Sequence, residues 1–125
     1  MIIIRSQDTR AIETPNGNHG TSLATPSLGA TEVSVVRQRQ QPGGFNPLHS
    51  QDREEVMVML LGSVTVSSAN QTMHLKAGDT VIVEKGVQHR VDNTGSEDAE
   101  WLIVSQAGVK FYRETGEEAH PQWAI

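Results

Sequence analysis

The apolar residues of this chain come in short runs rich in valine and isoleucine, and this feature restricts the fold more than any other. Glycine, proline and other turn residues separate the runs at close intervals, and no run shows helical spacing. We predict seven strands, at residues 32–37, 54–61, 64–67, 72–75, 80–83, 89–92 and 100–105. Seven or more short strands imply an all-β sandwich or barrel.

Two connections between these strands have the composition of tight hairpins. The first is Leu61-Gly62-Ser63, and the second is the polar stretch Ser68-Ala69-Asn70-Gln71. The pattern therefore predicts an antiparallel meander in the middle of the chain.

A length of 125 residues fits one domain, so we treat residues 1–125 as a single barrel domain. Residues 14–29 are rich in Asn, Gly, Ser, Thr and Pro, which predicts an arm or loop before the barrel. Residues 108–125 mix aromatic and charged side chains, which suits a tail that folds back on the surface or across the barrel mouth. The sequence leaves both placements of the tail open.

Charge and composition exclude several classes of function. The formal net charge is −5, and Lys and Arg are scattered, so we expect no binding to nucleic acid. No apolar stretch is long enough for a signal peptide or a membrane span, so we expect a cytoplasmic protein with no membrane partner. Because the chain has no cysteine, any metal ligands must be His, carboxylate or amide groups.

Four polar side chains stand out against this strand pattern as a candidate metal site. His49 and Gln51 point to the same side of an extended chain, because side chains alternate along a strand. Glu55 begins the next strand and shares a face with two methionines, where a buried carboxylate needs a cation or a hydrogen-bond donor. His89 lies just beyond a later turn and would complete a set of four ligands.

The spacings around these residues resemble the two motifs of the cupin superfamily. The first motif has Gly43, then His49, Gln51 and Glu55, and ends at Gly62. The second has Gly78, Glu84, Gly86, His89 and Asn93, and a short hairpin separates the two motifs. The resemblance implies an antiparallel double-stranded β-helix, or jelly-roll barrel, of the small bacterial type. It also implies that one divalent transition-metal ion, such as Mn, Fe, Ni or Zn, binds to the four residues named above.

The sequence departs from the cupin pattern at two positions. Glu84 replaces a usual proline, which changes only the rigidity of a turn. Gln51 replaces a usual second histidine, and an amide oxygen is a harder and weaker ligand than imidazole, which favours Mn or Fe. Gln51 either binds the ion or hydrogen-bonds a neighbour, and each histidine taken alone would be explained by an ordinary hydrogen bond.

Several further residues are candidates for lining a substrate pocket. Met57 and Met59 alternate along one strand and would line the barrel or fill its core. Arg53 would reach a substrate carboxylate at the rim, or be solvated. The aromatic candidates near the mouth are Phe45, Trp101, Phe111 and Tyr112, for which core or dimer packing is the alternative. We assign no role to His19, His74 and His120, which we expect at the surface.

Two functional hypotheses follow. In the first, the protein is a metal-dependent enzyme, of the dioxygenase, isomerase or lyase type, that acts on a small organic substrate. In the second, it is a non-catalytic module that binds a small molecule, or a structural barrel. The fold alone does not choose between them. The resemblance to small cupins also implies a homodimer, formed through an exchanged or added edge strand.

Overall fold

The computed structural model describes residues 1–125, and its regular secondary structure is mainly β-strand. Its twelve strands are β1 (Ala11–Thr14), β2 (Asn18–Ala24), β3 (Val33–Gln40), β4 (Phe45–Gln51), β5 (Glu55–Leu61), β6 (Ser63–Ser68), β7 (Thr72–Lys76), β8 (Thr80–Val83), β9 (His89–Asp92), β10 (Ala99–Gln106), β11 (Phe111–Arg113) and β12 (Glu118–Ala119). Three short 3-10 helices lie at Ser6–Asp8, Pro26–Leu28 and Gln122–Ala124. No helix is long and apolar enough to cross a membrane.

The strands form two six-stranded antiparallel sheets. The first sheet has the order β1-β2-β3-β10-β5-β8, and the second has the order β12-β11-β4-β9-β6-β7. The predicted all-β jelly-roll fold is confirmed. All seven predicted strands are present, with ends that differ by at most three residues, because alternation of buried and exposed side chains marks them clearly.

The connection at Leu61-Gly62-Ser63 is not the hairpin that its composition predicts. β5 pairs with β10 and β8, whereas β6 pairs with β7 and β9, so the chain crosses here from one sheet to the other. Gly62 has φ +70, and a Cβ atom there would lie 2.9 Å from the Cα of Ala99. The crossing therefore needs glycine. The second predicted hairpin is confirmed, because the N–H of Ser68 bonds to the carbonyl of Gln71 at 2.8 Å.

The prediction of an arm or loop at residues 14–29 is wrong for the middle of that segment. Residues Asn18–Ala24 form β2, which pairs with β1 and β3 and belongs to the first sheet. The segment is polar even at buried positions, which include Asn18 and Thr21. A prediction from composition alone therefore mistakes such a strand for a loop.

The tail lies across the barrel mouth, which is one of the two positions that the sequence left open. Within residues 108–125, β11 pairs with β4 and β12, and the last 3-10 helix brings Trp123 against Phe111, with ring centroids 5.6 Å apart. The backbone carbonyl of Trp123 accepts a hydrogen bond from Ser22 on β2. The tail thus connects the two sheets across one end of the barrel.

The core lies between the two sheets and is formed by inward-facing side chains of alternating residues. β5 contributes Met57 and Met59, each 1% exposed, and β10 contributes Trp101, also 1% exposed. The remaining buried apolar residues are Val36, Val64, Val66, Leu75, Val81, Val83, Val91, Ala99 and Ile103. This core occupies one end of the barrel and leaves a cavity at the other.

Candidate functional site

Two histidines from neighbouring strands lie side by side at the wall of this cavity. β4 and β9 pair antiparallel, and their register puts His49 directly opposite His89. The ring centroids are 4.3 Å apart, and the ring planes are inclined by 48°. Residues forty positions apart in the sequence are therefore brought into contact by strand pairing.

Each imidazole is held by a carbonyl oxygen two residues earlier in the chain. Nδ1 of His49 lies 2.7 Å from the oxygen of Pro47, and Nδ1 of His89 lies 3.0 Å from the oxygen of Val87. A carbonyl only accepts, so each Nδ1 carries the hydrogen, and in the neutral ring Nε2 keeps a free lone pair. Metal-binding histidines are commonly oriented by this kind of contact.

Glu55 reaches the histidines from the opposite sheet. It is the first residue of β5, it is 3% exposed, and its Oε2 lies 3.4 Å from Nε2 of His89. Neither of these two buried atoms has a partner with hydrogen-bond geometry. Burying a polar atom without a hydrogen-bond partner costs free energy. A ligand, ion or proton bound between these two atoms would remove that cost.

Burial and neighbouring charge shift the pKa values of the two histidines in opposite directions. Burial lowers the pKa of His49, and Coulombic repulsion from His89 lowers it further. Burial is also the largest influence on the pKa of His89 and lowers it, but contact with the Glu55 carboxylate and its negative charge outweigh burial and raise the pKa. His49 is therefore neutral at pH 7 and able to donate a lone pair.

Gln51 lies farther inside the barrel than His49. It is the last residue of β4, is 2% exposed, and its Nε2 has no hydrogen-bond partner. Its backbone carbonyl accepts a hydrogen bond from Gly86 at 2.8 Å. The lining of the cavity includes His49, Glu55 and His89 but not Gln51.

These side chains fit a divalent ion in their chemistry but do not form a complete ligand set. Imidazole Nε2 atoms and a buried, unpartnered carboxylate oxygen are donors that Mn, Fe and Zn accept. No group of three His, Asp or Glu side chains, however, is arranged around a common point suited to a metal ion. With glutamine in place of the usual second histidine, such a group would need all three of His49, Glu55 and His89.

The cavity has a volume of about 670 Å³ and opens where the tail crosses the barrel end. This volume is in the range of pockets for small organic ligands. Of the pocket residues predicted from the sequence, Met57 and Trp101 line the cavity, and so do Phe111 and Tyr112. Its other apolar lining residues include Val91, Ile103 and Trp123.

Three of the predicted pocket residues lie elsewhere. Arg53 is exposed and donates a hydrogen bond to the carbonyl of Asp52, in the turn between β4 and β5. Met59 lies two residues after Met57 along β5, within the packed core. Phe45 packs under the guanidinium of Arg90, which is 4.4 Å from the ring centroid.

The histidines without an assigned role also have defined places. His74 and His120 are exposed, as expected, whereas His19 on β2 is half-buried. Nδ1 of His74 lies 2.9 Å from the hydroxyl oxygen of Thr65, and His120 lines the mouth of the cavity.

The sequence reasoning missed a second set of polar residues inside the barrel. Asn18, Gln38 and Asn46 line the cavity, and Gln40 is fully buried beside them. A signal was present in Arg37-Gln38-Arg39-Gln40, where polar residues continue the alternation of a strand whose other inward positions are buried. Amide side chains at two successive inward positions of a strand indicate a polar interior.

Comparison with known proteins agrees with this fold. The profile described as Cupin domain matches residues 36–105. Oxalate oxidase 1 from Hordeum vulgare is 31% identical over 104 residues, which cover 74% of this chain and 51% of that protein. The chain thus spans about half the length of this relative.

Two solved structures show the same fold at lower identity. A polyketide cyclase from Streptomyces resistomycificus superimposes with a TM-score of 0.77 at 17% identity, covering 87% of this chain and 81% of that one. A predicted oxalate decarboxylase from Thermotoga maritima gives a TM-score of 0.74 at 23% identity, covering 85% of this chain and 99% of that one.

Proposed function

The chain belongs to the cupin family, and we propose that it is a metal-dependent enzyme that acts on a small organic substrate in the barrel cavity. One divalent transition-metal ion, such as Mn, Fe, Ni or Zn, would be held by His49, Glu55 and His89, with Gln51 as fourth ligand or as support. The observation that carries this proposal is the unpartnered pair of Glu55 Oε2 and His89 Nε2, buried beside a second imidazole at the cavity wall.

The roles of the protein groups follow from their contacts. The carbonyls of Pro47 and Val87 fix the orientation of the two rings, so little entropy is lost when a ligand binds. The carboxylate of Glu55 balances part of the charge of a bound cation. A divalent ion held here supplies Lewis acidity, which polarises an oxygen atom of the substrate.

The likeness to a plant oxalate oxidase supports an enzyme of the oxidase, dioxygenase or lyase type. The absence of a complete three-residue ligand set favours the second candidate, a cupin that binds a small molecule without turnover. Oxygen consumption or product formation with a panel of small acids, diketones and phenols would distinguish the two.

We expect protein purified without an affinity tag or chelator to contain one transition-metal ion per chain, because the unpartnered donors gain from binding it. Elemental analysis measures this content directly. Gln51→Ala should retain part of the metal if Gln51 is a supporting residue and lose most of it if Gln51 is a ligand. Metal-free wild-type protein that also fails to bind added Mn, Fe, Ni or Zn would contradict the proposed function.

We propose that the protein is cytoplasmic. We also propose that it forms a homodimer, in which the outer face of the first sheet contacts the same face of a second copy. The side chains of Val35, Val104, Val56 and Ile82 lie side by side across four strands, and Ile82 is 58% exposed. A second copy of this uncharged row meets no repulsion, although the chain carries a net charge of −5.

We expect Ile82→Lys to convert the dimer to a monomer, because a lysine at the end of the apolar row would be buried without a partner in the interface. Light scattering after size exclusion measures the mass. Thr72→Lys, on an exposed strand of the other sheet, is the matched control and should remain dimeric. A monomeric wild-type protein at micromolar concentration would rule out this contact.

A further inference from the structure

Four amide side chains form a polar cluster inside the barrel, away from the histidines. The cluster consists of Asn18 on β2, Gln38 and Gln40 on β3, and Asn46 on β4. Gln38 donates to the side-chain oxygen of Asn18 at 2.9 Å and to that of Asn46 at 2.8 Å. Gln40 donates to the same two oxygens at 2.9 and 3.4 Å. The amide cluster therefore connects the two sheets.

An irregularity in β4 brings Asn46, one member of this cluster, to the same side of the strand as His49. Asn46 pairs with Val91, and His49 pairs with His89, so three steps along β4 match two steps along β9. Residues three apart in a regular strand face opposite sides, but one extra residue in a bulge restores the same side. Asn46 and His49 consequently both line the cavity.

The amide cluster keeps unused hydrogen-bonding capacity on its cavity side. Nδ2 of Asn46 donates one hydrogen bond, to Oε1 of Gln38, at the long distance of 3.4 Å. Oε1 of Gln38 accepts no other hydrogen bond. One N–H of Asn46 and one carbonyl of Gln38 are thus available next to each other. Behind them, Oε1 of fully buried Gln40 has no partner. A donor beside an acceptor matches a hydroxyl group, and the donor alone matches a carbonyl.

The charges around the cavity disfavour a small anion. Three carboxylates, Glu55, Glu114 and Glu117, are among the lining residues, and the only Lys or Arg is the exposed Arg113 at the mouth. A dicarboxylate would be bound by cations or by several N–H groups, and apart from a metal ion at the histidines the inner wall has no Lys or Arg. The apolar part of the inner wall is formed by Met57, Val91, Trp101, Ile103, Phe111 and Trp123.

The cavity also has room for a molecule that reaches from one polar end to the other. Two residues lie between Asn46 and His49, and because of the bulge the two positions are two steps apart along β9, which is about 7 Å. The volume of about 670 Å³ accommodates a ligand of drug-like size. A two-carbon acid would leave most of this apolar surface in contact with water.

We propose that Gln38 and Asn46 form a second binding end of the cavity and select an uncharged, elongated molecule with an apolar ring body. A hydroxyl or keto group at one end of the ligand would meet the amide cluster, and an oxygen at the other end would meet the histidines and Glu55. The second contact rests on the proposed function, whereas the contact with the amide cluster does not depend on a metal ion.

The test uses 4,4′-dihydroxybiphenyl as probe, with biphenyl and oxalate for comparison, on the full chain in EDTA. Binding is followed by quenching of tryptophan fluorescence, because both tryptophans of the chain line the cavity. We expect the diphenol to bind more tightly than either comparison compound. Gln38→Met and Asn46→Leu should each weaken the diphenol about 10-fold, the loss of roughly one hydrogen bond, and leave biphenyl unchanged.

Gln71→Met, an exposed glutamine in the hairpin between β6 and β7, is the matched control and should bind like the wild type. Equal weakening of diphenol and biphenyl in both cavity variants would assign the cluster a structural role and overturn the proposal, as would tighter binding of oxalate. Repeating the titration on Glu55→Gln separates the two proposals. If Gln38→Met and Asn46→Leu still weaken diphenol binding when combined with Glu55→Gln, the contact with the amide cluster is supported even if no metal ion binds.

Discussion

Glu55→Gln should remove most of the stabilisation of the protein by divalent metal ions. In the wild type, an ion at 100 times its dissociation constant adds about 2.7 kcal/mol to the free energy of unfolding. For a domain of this size that corresponds to a rise in Tm of roughly 10 °C. The variant removes the only carboxylate in contact with His89, so we expect at least about 100-fold weaker metal binding. At the same ion concentration this leaves at most about 0.4 kcal/mol, or a rise of less than about 2 °C.

The metal-free Tm should change little in the same variant. Glutamine has nearly the same shape as glutamate, and it replaces a buried charge that lacks a hydrogen-bond partner by a neutral group. Glu54→Gln is the matched control, because Glu54 is the exposed neighbour and should keep the full metal response. Scanning calorimetry with Mn or Zn measures both quantities. An undiminished rise in Glu55→Gln would exclude Glu55 as a ligand.

Much of the fold could be predicted because burial alternates so regularly. Along β5 and β10, every second residue is buried, and the apolar residues in the sequence record that period directly. The crossing at Gly62 could not be predicted in the same way. A glycine between two strands serves a hairpin and a crossing between sheets equally well, and the choice depends on which distant strand each one pairs with.

The polar interior was harder to predict than the histidines. His49 and His89 are recognised by spacing within two local motifs, and strand pairing then places them in contact. The amide cluster has no such motif, because three strands contribute to it and the bulge in β4 reverses the expected side of Asn46. A bulge depends on how the backbone pairs with the neighbouring strand, and the residue types of β4 do not reveal that pairing.

Gly20→Ala should displace the tail from the barrel end, because the ring of Trp123 packs directly on this glycine. A Cβ atom at position 20 would lie 2.5 Å from Cδ1 and 2.9 Å from Cβ of Trp123. The strand backbone cannot yield without breaking its pairs with β1 and β3, so the tryptophan must move. We expect a loss of about 1–3 kcal/mol, or roughly 4–12 °C in Tm, and a change in tryptophan fluorescence.

A double-mutant cycle with Trp123→Ala separates this clash from a general effect of alanine in the strand. Once the indole is gone, Gly20→Ala meets no obstacle and should cost less than about 0.5 kcal/mol, which makes the coupling between the two positions large. Gly95→Ala, in the loop before β10 where a Cβ atom would come no closer than 3.4 Å to its neighbours, is the matched control. Equal costs of Gly20→Ala with and without Trp123 would show that the tail does not rest on β2. In that case the cavity would be open at this end, and ligand binding would not depend on the last residues of the chain.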